Sequence, residues 1–69
     1  MKPPPVDPHR FAMHMLRHNV ALANLWAGYA NKVRNAAAAA PYLAMANEYG
    51  AKARYWRDEA IMLEMDLSS

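Results

Sequence analysis

The sequence predicts an all-α fold: an antiparallel two-helix hairpin whose exposed apolar residues drive it to dimerise into a four-helix bundle. Three observations carry that reading. Phe11, Met15, His18, Leu22, Leu25 and Tyr29 follow a 4-3-4-3-4 spacing, the signature of one helical face. Tyr42, Tyr49, Trp56 and Leu63 recur every seven residues, and Ala46, Ala53, Ala60 and Leu67 recur at the same interval. Between the two patterns stands "NAAAAAPY", an alanine run broken by Pro41. No stretch reads as a strand, and there is no Asn-Gly hairpin turn.

Residues 1–6, "MKPPPV", read as an extended tail, because three successive prolines favour polyproline II and cannot enter a helix interior. Residues 7–69 read as a single helical-hairpin domain. Asp7-Pro8 is a strong helix start. Asp accepts a backbone N–H at the N-cap, and Pro at the first helical position lacks only a donor that would be orphaned anyway. From there the pattern runs helical to about residue 36. Trp26 and Val33 widen the main stripe. Leu16, Val20, Ala23, Ala27 and Ala30 form a second, smaller one, so this helix has apolar character on two sides.

Pro41 removes a backbone donor and pushes Ala40 away from the α region. The break is therefore expected within 36–41, with Pro41 opening a second helix to about residue 67. A single long helix kinked at Pro41 is the rival geometry. A turn centred near residue 39 would set Leu22 against Trp56, Leu25 against Ala53, Tyr29 against Tyr49, His18 against Ala60, Met15 against Leu63, Phe11 against Leu67 and Gly28 against Gly50. The hairpin and dimer core is thus expected from Phe11, Met15, Leu22, Leu25, Tyr29, Val33, Tyr49, Ala53, Trp56, Ala60, Leu63 and Leu67. Each helix would be about 40 Å long. Two such helices cannot cover every apolar residue, and a two-fold dimer is the economical remedy.

Composition narrows the functions. The chain has 69 residues and no cysteine, so neither disulfides nor thiolate metal sites contribute. There is no threonine, the serines are Ser68 and Ser69 alone, and two isolated glycines make no phosphate loop. These features point away from an enzyme, and no cofactor is expected. His14 and His18 have the i,i+4 spacing of helical zinc ligands, a weak signal on its own. Arg10, His14 and Arg17 form a basic face that could meet nucleic acid, though the net charge of +2 is low for such a binder.

Six methionines, two tryptophans and four tyrosines exceed what one hairpin can bury. Met adapts to irregular partner surfaces, and Trp and Tyr concentrate binding energy. Met13, Trp26, Tyr42, Met62 and Met65 are the candidate partner-binding residues. The expectation is a homodimeric protein-interaction module, of the small bacterial or phage type, that regulates or inhibits a larger protein. A nucleic-acid-binding dimer is the second reading and an assembly subunit the third. No apolar run could span a membrane and the proline-rich start lacks a signal peptide's apolar centre, so a cytoplasmic location with no membrane partner is expected.

Overall fold

A computed structural model describes residues 7–68, with side chains through Asp66. The described residues form two antiparallel helices and no strand: α1, Pro8–Lys32, and α2, Ala36–Ser68. The tail expected over residues 1–6 and the side chain of Leu67 lie outside the described residues.

Both helices begin on the same device. The Asp7 carboxylate accepts the His9 N–H at 3.0 Å, and the Asp7 carbonyl accepts the first helical bond from Phe11 at 2.9 Å. Asn35 repeats this for α2. Its Oδ1 accepts the Ala37 N–H at 2.9 Å and its carbonyl accepts from Ala39 at 2.9 Å. At the end of α1, Val33 turns extended (φ −91°, ψ 122°) while its N–H still reaches the Ala30 carbonyl at 3.2 Å. The connection is therefore Val33-Arg34-Asn35, and it uses no positive φ.

This corrects the expected boundaries. α1 ends at Lys32 rather than near residue 36, and α2 starts at Ala36 rather than Pro41. The Asn35 cap and the high helix propensity of Ala36–Ala40 outweigh Pro41, which sits inside α2. The missing proline donor leaves the Ala37 carbonyl without its usual helical partner.

Moving the turn moves the register. Phe11 meets Trp56 edge-on, with ring centroids 5.5 Å apart, where a turn at residue 39 would set it level with Leu67. Trp26 stacks on Tyr42 at 5.9 Å, where that turn would set it level with Lys52. The helices are offset by about ten residues, nearly three turns, from the expected pairing. The Leu22–Trp56, Tyr29–Tyr49 and related pairings are replaced accordingly. Neither Gly28 nor Gly50 marks a close approach, since a Cβ at either position would meet nothing within 4 Å.

The seam of α2 follows its heptads. Ala39, Ala53 and Ala60 are buried, with Tyr42, Ala46, Tyr49, Trp56 and Leu63 half-buried beside them. α1 meets it through Ala12, Asn19 and Ala30, buried, and Leu16, Ala23, Trp26 and Val33, half-buried. That row also has heptad spacing, but it lies one residue along from the larger stripe. The reason is volume. The aromatic residues of α2 need small residues opposite if the backbones are to approach, and a facing row of Phe, Leu and Tyr would hold the helices apart.

The hairpin is one helix thick, with a smallest dimension of 12 Å. Among the described residues, every buried apolar side chain is an alanine, and no large side chain is fully buried.

Candidate interaction surface

The displaced stripe of α1 now lies along one broad face of the hairpin. Phe11, Leu25 and Tyr29 are 45%, 49% and 44% exposed, His18 is exposed, and Met15 and Leu22 are half-buried. Helical periodicity places the six along one flank of the seam, and the Phe11–Trp56 and Tyr29–Tyr42 ring contacts fix which flank. The opposite flank of α1 carries Met13, Val20 and Ala27, smaller in total.

Rings gather at both ends of the first face. Near the turn, Trp26, Tyr29 and Tyr42 contact one another with centroids 5.8–6.1 Å apart, and the Lys32 ammonium lies 5.9 Å from the Tyr29 ring. At the open end, Trp56 receives Phe11 and Tyr55, the latter at 5.1 Å. Trp26 and Tyr42, candidates for outside contacts, are thus engaged mainly with each other. Met13 is half-buried, while Met62 and Met65 are 60% and 66% exposed near the end of α2.

Of the other expected core residues, Ala53 and Ala60 are buried in the hairpin seam, and Val33, Tyr49, Trp56 and Leu63 are half-buried there. Sequence reasoning missed three features. Asn19 is 3% exposed in the seam, its Nδ2 donating to the Met15 carbonyl at 2.7 Å. Leu43 is about half exposed on α2. Tyr55 stands 57% exposed beside Trp56. Asn19 could have been found, because it continues the spacing of Ala12 and Leu16 toward Ala23 and Trp26.

Arg10, His14 and Arg17 are exposed and line one shallow open groove with Asp7, His9 and Met13. The His14 and His18 rings stack, with centroids 6.4 Å apart and planes 12° from parallel. Among the described residues, no three His, Asp or Glu side chains converge on a point that could hold a metal ion. On α2, Lys52 pairs with Glu48 at 3.6 Å, as its spacing predicts. Asp58 is met by Arg57 at 3.4 Å, whereas Arg54, four residues before it, turns back to the Gly50 carbonyl at 3.5 Å. No helix among the described residues is long and apolar enough to cross a membrane.

No protein-family model, curated protein or solved structure matches this chain. The functional reading therefore rests on the surface itself.

Proposed function

We propose that the chain is a non-enzymatic, cytoplasmic interaction module: a helical hairpin that pairs with a second copy into a four-helix bundle and, as that dimer, binds and regulates a larger protein. The supporting observation is the exposed apolar row on α1, set in a hairpin where, among the described residues, the buried apolar side chains are all alanines. A helix must cover such a row against another element, and a single-layer hairpin offers none. The residues left for a protein partner are Met13 on the opposite flank of α1 and Met62 and Met65 on the end of α2.

A second reading, a nucleic-acid-binding dimer, draws on the groove shared by Arg10, His14 and Arg17. Sedimentation equilibrium combined with fluorescence anisotropy on mixed-sequence RNA and duplex DNA separates these. The first reading expects a dimer that binds either nucleic acid weakly. Tight binding that falls steeply with salt, and is lost in Arg10→Gln/Arg17→Gln, would reverse the order. Species growing beyond a dimer would favour an assembly subunit.

A further inference from the structure

The stripe Phe11, Met15, His18, Leu22, Leu25 and Tyr29 has a property that the α2 contact does not use. Its 4-3-4-3-4 spacing reads the same in both directions, with its centre at the level of Val20. Two such helices laid antiparallel and crossing at that level bring the stripe onto itself. Phe11 of one copy falls level with Tyr29 of the other, Met15 with Leu25, and His18 with Leu22. This is the isologous arrangement of a two-fold interface, in which one patch serves both sides. The 4-3 spacing is also the one that seats knobs in holes between antiparallel helices.

Resting on the four-helix reading, we propose that this face is the interface with a second copy of the chain, α1 packing antiparallel on α1 and α2 on α2 around a two-fold axis perpendicular to the helices.

Area supports a second copy. α1 is about 37 Å long and two neighbouring helices are about 20 Å wide. Face-to-face stacking then buries about 1,500 Å² in total, the size of a standard stable interface. Charge supports the same register at the ends of α1, while nearer the axis the Glu48–Lys52 pair of each α2 comes close to that of the other copy. At each end of the paired helices, Asp7 of one copy comes level with Lys32 of the other, and Lys32 already lies over Tyr29 within the stripe. The alternative two-fold, with like ends together, would lay Met15 on Lys52 and the start of α1 on Glu59. The apolar row of α1 would then face charged side chains of α2.

The test is sedimentation equilibrium on the full chain and on variants at positions already exposed in the single hairpin, with helical content followed by circular dichroism. The native chain sediments as a dimer. Leu25→Glu, within the stripe, weakens dimerisation roughly a hundredfold, because it sets a charge in a closed apolar seam. Tyr29→Lys repeats the loss at a second position. Val20→Glu, on the opposite flank, leaves the dimer intact. A dimer dispersed by Val20→Glu and not by Leu25→Glu or Tyr29→Lys overturns this interface while sparing the four-helix reading. Equal loss of helical signal in both stripe variants and in Val20→Glu would make these positions structural in the single hairpin and also overturn it. A native chain that stays monomeric overturns both.

Discussion

Alanine sets the depth of the hairpin seam. Ala12, Ala30, Ala39, Ala53 and Ala60 are each 7% exposed or less, and their small size lets the Trp and Tyr residues beside them close over the contact. Such a seam tolerates loss of volume poorly and gain of volume worse. Ala60→Leu, at 5% exposure, is expected to destabilise the chain by about 1–3 kcal/mol through overpacking. Urea unfolding followed by circular dichroism measures this, and an unchanged midpoint would show that the seam has room to spare. Asn19 is the polar member of the same row. Its amide is satisfied by the Met15 carbonyl one turn back, so its burial leaves no orphan donor. A single buried Asn in a helical seam is a known means of fixing register.

At the level of elements, two Asx caps and one proline decide the topology. Caps at Asp7 and Asn35 fix where the helices start, and the offset between the helices follows from them. Pro41 then lies inside α2, where it costs a hydrogen bond and strains the preceding turn. Pro41→Ala is therefore expected to stabilise the chain by about 1–3 kcal/mol, read as a rise in thermal midpoint. A proline that opened the helix would be nearly neutral to this change.

The element types, the cap at Asp7 and the α2 heptads were legible because each rests on a strong local signal. α2 carries apolar residues off its seam as well, among them Leu43, Tyr55 and Ile61, but only one of its rows keeps an unbroken heptad of aromatic residues and alanines, and that row names the seam. α1 has two rows, and periodicity alone cannot say which one faces the neighbour. The larger row carries more apolar area and reads as the core, yet packing against the aromatic residues of α2 selects the smaller. The position of the turn is hidden for a related reason. Pro41 is a louder signal than Asn35, although a satisfied cap followed by five alanines stabilises more helix than one proline disrupts.

Considered whole, the hairpin is a single layer of two helices. Its 12 Å thickness leaves both faces open, and the larger face carries a self-complementary row. The interface proposed from that row buries Phe11, Leu25 and Tyr29, which the single chain leaves nearly half exposed. It leaves Met62, Met65 and the groove of Arg10, His14 and Arg17 at the periphery, where they remain accessible to a further partner. Antiparallel pairing of α1 on α1 is the central claim, and it fixes a distance. In the dimer, Lys32 of each copy lies about 24 residues of helix, near 36 Å, along the axis from its counterpart. The chain has no cysteine, so Lys32→Cys gives a single site for a spin label. Pulsed electron–electron dipolar spectroscopy should then show one intermolecular distance of about 35–40 Å. A distance of about 20 Å would put like ends together, and no intermolecular coupling would mean that no second copy is there.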